Sequence, residues 1–178
     1  MIKHTSFQAG ITLIEVLIGL VLLVIAGMIA LPSFTDYLER QRLKAAAESL
    51  SASLNLARAE ALTQQQFTYV QLAGQGTDQW CYALSKEPKC DCFSSACEAV
   101  QRVDSMALPG VQLGSASRAV FRFNWKNGSA TGANGTASFV GRQTGQQLCV
   151  VLSNLGRVRI VTSKNKPVAG YPQDATCH

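Results

Sequence analysis

The residues of this chain whose types could do chemistry are few. They are two histidines, six cysteines, a Gly-Arg-Val-Arg run at 156–159, and one carboxylate, Glu15, set in an apolar stretch. His4 lies near the start and His178 is the last residue, so no internal imidazole is available for a triad or a dyad. No phosphate-binding loop ending in Gly-Lys-Ser/Thr is present, and the glycines from Gly128 to Gly135 read as hairpin turns. The expectation is a protein that is not an enzyme and needs no cofactor.

The cysteines Cys81, Cys90, Cys92, Cys97, Cys149 and Cys177 could bind a metal or form disulfides. Zinc knuckles favour roughly two to four residues between paired ligands, and Cys90-x-Cys92 is shorter than that. Disulfides are therefore expected, with no metal, in an oxidising compartment. A bond between Cys90 and Cys92 would be strained, so each is expected to reach outward, to Cys81 or Cys97 in either order. Cys149 is then left to tether the tail through Cys177, and closing that loop of about 28 residues would add ~3 kcal/mol in the chain-entropy view.

If residues 157–162 form a strand, Arg157 and Arg159 project from one face while Val158 and Ile160 turn to the core. Lys164 and Lys166 follow within one short loop, which is expected to gather four cations at one end of a sheet. Residues 118–178 hold eight basic residues and a single acid, Asp174, hence +7, against +5 for the whole chain. That imbalance points to an anionic partner. On its own the run also suits a plain surface strand, with Gly156 serving only the turn.

The elements that position these residues begin with 11–31, which is 21 residues long and apolar except for Thr12, Glu15 and two glycines. As a helix rising ~1.5 Å per residue it would span roughly 30 Å, about the thickness of a bilayer's hydrocarbon. A carboxylate there costs on the order of 3 kcal/mol in lipid, so Glu15 needs a partner or a role. Pro32 predicts a bend rather than a stop. Leu43, Ala47, Leu50, Leu54, Ala57 and Ala61 then recur at helical spacing. Glu39, Arg40, Arg42, Lys44, Glu48, Arg58 and Glu60 are expected to solvate the other side of that helix. One helix over about 12–63 is predicted.

Past Gln66 the character changes to strands and glycine turns, with strands expected at 67–72, 80–84, 111–113, 119–125, 136–140, 147–152 and 157–162. Phe121, Phe123 and Trp125 should share the core face of the fourth. The fold class is α+β, a long helix against small antiparallel sheets. The chain divides into 1–10, 11–31, 32–66 and a β-rich head, 67–178.

The order of a short polar leader, MIKHTSFQAG, then the apolar helix, is the reverse of a cleaved signal peptide. It resembles a prepilin, the precursor of type IV pilins and type II secretion pseudopilins. The resemblance implies cutting by a prepilin peptidase between Gly10 and Ile11, methylation of Ile11, and Glu15 as the fifth mature residue serving assembly with other pilins. The stretch Leu54–Gln66, with Arg58 and Glu60, resembles the end of the long helix in the FimT/GspH family of minor pilins and pseudopilins. Gly156-Arg157-Val158-Arg159 is similar to the GRxR run of FimT-type minor pilins, whose arginines bind DNA in natural transformation. What this implies is a minor pilin held in the inner membrane with a periplasmic head, then carried to the cell surface in a pilus. It would bind double-stranded DNA through Arg157, Arg159, Lys164 and Lys166. The competing expectations are a purely structural minor pilin and a type II secretion pseudopilin.

Overall fold

The computed structural model describes residues 11–177, with the side chains of residues 29–33 outside the description. Gly10, the expected last leader residue, thus lies outside the described residues. The chain divides into two compact units, residues 1–37 and residues 38–178.

A single helix, α1 (Leu13–Gln64), belongs to both units. Thr12 precedes it, and its hydroxyl accepts the backbone N–H of Glu15 at 3.4 Å, an N-cap arrangement. The helix continues through Pro32, so the proline does not end it. In the first unit the large apolar residues from Ile11 to Met28 are exposed, and so is Glu15. Among the described residues no helix is long and apolar enough to cross a membrane. The span expected over 11–31 includes residues 29–31, whose side chains are not described.

The second unit has its own core: among the described residues, every buried one lies between Glu39 and Cys177. Residues 38–64 contain no glycine or proline and are rich in alanine and leucine, strong helix formers. Leu43, Ala46, Ala47, Leu50, Leu54, Ala57 and Ala61 are fully buried along one stripe. Gln65, at φ 53°, supplies the left-handed residue that ends the helix, a position more often filled by glycine.

Two four-stranded antiparallel sheets pack on this stripe. Sheet A has the order β3-β2-β1-β5 and is built from β1 (Thr68–Ala73), β2 (Cys81–Ser85), β3 (Ala99–Asp104) and β5 (Val120–Phe123). Sheet B has the order β4-β6-β7-β8 and is built from β4 (Val111–Ala116), β6 (Gly135–Gly141), β7 (Gln147–Leu152) and β8 (Val158–Thr162). Trp80, fully buried, ties the two together: its indole N–H donates to the Val111 carbonyl at 2.8 Å, and its ring meets Phe139 edge-on at 5.2 Å.

Three expectations need correction. Glu39 is not solvated; it is only 4 % exposed. Its carboxylate accepts the backbone N–H of Gln143 at 3.0 Å and of Thr144 at 2.9 Å, and the Thr144 hydroxyl at 2.8 Å, so one helical acid holds the whole β6–β7 turn. Arg58 is likewise a tether rather than a solvating side chain, as described below. Trp125 leaves the core face of β5 because the strand ends at Phe123. The Asn124 side chain accepts the Lys126 N–H at 2.8 Å and its carbonyl accepts the Gly128 N–H at 2.8 Å, which turns the chain before Trp125 can continue the alternation.

Candidate functional site

β8 is the edge strand of sheet B, and the tail pairs with its free edge at Thr162. Val158 and Ile160 pack against the main core, whereas Arg157 and Arg159 are exposed on the opposite side, as their alternation requires. The turn before β8 is closed by Gly156 N–H to the Ser153 carbonyl and Ser153 N–H to the Arg157 carbonyl, both at 2.9 Å. The Arg157 N–H also donates to the Ser153 hydroxyl at 3.1 Å.

Gly156 does more than turn the chain. Its φ of +77° is a left-handed conformation, and a Cβ there would strike the carbonyl oxygen of Gly128. The Gly156 carbonyl accepts from the Arg58 guanidinium at 3.2 Å. Arg58 therefore joins the end of α1 to the turn that presents Arg157, while Glu39, earlier on the same helix, grips the turn at the other end of sheet B. Periodicity shows the two residues only as polar helix positions, Arg58 standing out further by the resemblance of Leu54–Gln66; their partners lie roughly a hundred residues away in sequence.

The four expected cations are not gathered at one end. Arg157 precedes β8 and Lys164 and Lys166 follow it, so about seven residues of extended chain, ~23 Å, separate the first from Lys164. The strand itself is the reason: it must run its full length between the two turns. Lys166 is also drawn to the far turn, its ammonium donating to the Thr144 carbonyl at 3.2 Å. What the structure forms is a row of cations along β8 rather than a cluster.

Asp174, the one acid in this region, sits in the row. Its carboxylate lies 3.9 Å from Arg159, whose side chain is more than half exposed, a loose pair of small worth. The Thr176 N–H, 2.9 Å away, holds the Asp174 carboxyl below its ordinary value, with lesser help from the charges of Arg159 and Lys164. The tail delivers Asp174 there by hydrogen-bonding along β8: Thr162 N–H donates to the Pro172 carbonyl at 2.9 Å and Asp174 N–H to the Thr162 carbonyl at 3.2 Å. Cys149 of β7 bonds Cys177 and pins the tail over Val161. Of the two orders left open for the other cysteines, the structure has Cys81 with Cys92 and Cys90 with Cys97. These four cover part of sheet A's outer side.

In comparison with known proteins, the family described as Type II transport protein GspH matches residues 46–156. The match takes in Arg58 and ends at Gly156, so Arg157 and Arg159 fall just beyond it. Among solved structures, the type IV minor pilin FimU of Pseudomonas aeruginosa PAO1 is similar in two crystal forms. One gives a TM-score of 0.54 at 20 % identity, covering 72 % of this chain and 97 % of FimU. The other gives 0.52 at 17 % identity, covering 68 % and 98 %. No curated protein matches in sequence. At these identities the FimU likeness establishes the fold, a long helix packed on antiparallel sheets. The family match spans well over half of the chain, and the chain belongs to the GspH family of pilin-like proteins.

Proposed function

We infer that the protein is a minor subunit of a type IV pilus, made as a prepilin, cut between Gly10 and Ile11 and methylated there. The helix over 11–31 is then its inner-membrane anchor and later its place in the filament core. The observation that carries this reading is the first unit's surface: from Ile11 to Met28 the large apolar side chains are exposed, and Glu15 is the one charge among them. Such a surface requires lipid, then the helices of neighbouring subunits, to cover it. Glu15 serves assembly, its carboxylate offset by the free amino terminus of a neighbour.

The finer part of the reading is that the head binds double-stranded DNA along β8. Arg157, Arg159 and Lys164 are spread along about 23 Å of chain with Lys166 beyond, which suits successive phosphates better than it suits one anion. If all four touch phosphates, log K should fall against log salt with a slope of about −3.6. Arg157→Gln with Arg159→Gln should flatten it by about two units and leave the fold intact, since both side chains are exposed. A mobility-shift titration of the detergent-solubilised chain reads this directly, and unchanged binding by the double variant would remove the DNA reading while leaving the filament subunit. One observation favours a second reading, a pseudopilin of a type II secretion machine: the matching family is described by that transport role.

A further inference from the structure

Two further cations, Arg122 and Lys126, lie over aromatic rings at the β5 edge of sheet A. Thr68, Val70 and Leu72 of β1 are buried toward the helix, which leaves Phe67, Tyr69 and Gln71 on the other face. On β5, Phe121 and Phe123 are buried and Arg122 is exposed, and the register sets Tyr69 opposite Arg122. The Arg122 guanidinium lies over the Phe67 ring, 5.3 Å from its centre. Just past β5, the Lys126 ammonium lies over Trp125 at 5.2 Å. Thr68 faces Phe123, the last residue of β5, so Phe67 stands just before and Trp125 just after the end of this ladder.

The turn before β8 meets the same end of the molecule. The Ala130 N–H donates to the Asn154 carbonyl at 2.9 Å, and Gly128 abuts Gly156, so Arg157 stands near Lys126 in the fold. Among the described residues neither Arg122 nor Lys126 has a carboxylate in ion-pair contact. Glu60 of α1 is about 200° round the helix from Arg58. Glu87, in the loop after β2, stands between Lys86 and Lys89 in sequence.

Cations laid on aromatic rings instead of carboxylates, on a half-exposed sheet face, offer two things together: planar surfaces for bases and charge for phosphates. A duplex hides the faces of its bases, and an unpaired strand presents them. We propose that Phe67, Tyr69 and Arg122, with Trp125 and Lys126 beside them, form a stacking site for the bases of single-stranded DNA, separate from the phosphate row of β8. The choice of ligand rests on the reading of the head as a DNA-binding one. Arg122, its guanidinium 5.3 Å from the centre of the Phe67 ring, serves as part of the platform, since bases stack on guanidinium planes as well as on rings.

Tryptophan fluorescence tests this in the full chain in detergent. Trp80 is fully buried, so Trp125 is the tryptophan a base can reach. Oligothymidylate of about 20 nucleotides should quench it, and a duplex of equal length should not. Phe67→Leu with Tyr69→Leu should weaken oligothymidylate about tenfold or more and change duplex affinity by less than about twofold. Arg122→Gln, at an exposed position, should weaken oligothymidylate several-fold by itself. Arg157→Gln with Arg159→Gln should show the opposite selectivity. Absence of quenching, or oligothymidylate affinity unchanged in both platform variants, while the duplex still binds would overturn the stacking site and leave the β8 reading standing. Binding of neither ligand would sink both.

Discussion

Glu39→Ala should be among the most damaging single substitutions in the head, although it touches no expected ligand. The carboxylate is 4 % exposed and accepts three hydrogen bonds from one turn, from the N–H groups of Gln143 and Thr144 and from the Thr144 hydroxyl. Bonds to a charged group contribute about 1.5–3 kcal/mol each, and an orphaned buried donor costs about 1–3 kcal/mol. Part of this is offset because folding no longer has to desolvate a charge. A net loss of about 3–5 kcal/mol follows, which for a unit of this size lowers Tm by roughly 10–20 °C. Glu39→Gln keeps one acceptor but turns an amide N–H toward backbone donors, so about half the loss should remain. Thermal unfolding of the full chain in detergent, followed by circular dichroism, measures both. A loss under about 1 kcal/mol for Glu39→Ala would show that water or another residue can satisfy the turn, and the tether would then be incidental.

Four further outcomes follow from the same reading. Gly156→Ala should cost about 1–3 kcal/mol and weaken DNA binding as well, because a Cβ meets the Gly128 carbonyl and shifts the turn that carries Arg157; normal stability and affinity would contradict the close approach. Asp174→Asn should tighten duplex binding by about twofold with an unchanged salt slope, since it removes the one negative charge beside Arg159 without adding a contact; equal affinity would show that the pair does not screen the row. With its folded pKa lowered, Asp174 favours the docked tail above the ordinary carboxylate range and loses that effect as pH falls through the lowered value, so between about pH 5 and 8 this group should leave affinity constant. Glu15→Ala or Glu15→Val should leave the head's Tm unchanged while incorporation into filaments falls; normal incorporation of both would deny Glu15 an assembly role.

The long helix was legible because its signals are local: an apolar run, then a stripe at helical spacing with no glycine or proline between residues 38 and 64. The strands from β5 to β8 were legible from alternation and glycine turns, and β7 has the expected bounds, Gln147–Leu152. β3 gave no signal, since its inward residues are only Gln101 and Val103, Gln101 is satisfied inside by the Ser53 hydroxyl at 3.0 Å, and past a bulge Ala99 packs on the cysteine cluster instead. At the candidate site, the outward pair Arg157 and Arg159 follows from period two alone. The tethers do not. Glu39 and Arg58 look like any charged helix residues until tertiary packing supplies turns that need a carboxylate or a guanidinium. The separation of Lys164 and Lys166 from Arg157 was implicit in the strand's own length, a constraint that a count of nearby cations ignores.

The filament-subunit account is tested most directly by intact-mass measurement of the membrane-extracted chain, combined with sequencing of its N-terminus. The account predicts a chain that begins at Ile11, carries a methyl group there, and retains the apolar helix through residue 31. A mature chain that still begins at Met1, or one that has lost the apolar helix, would contradict it.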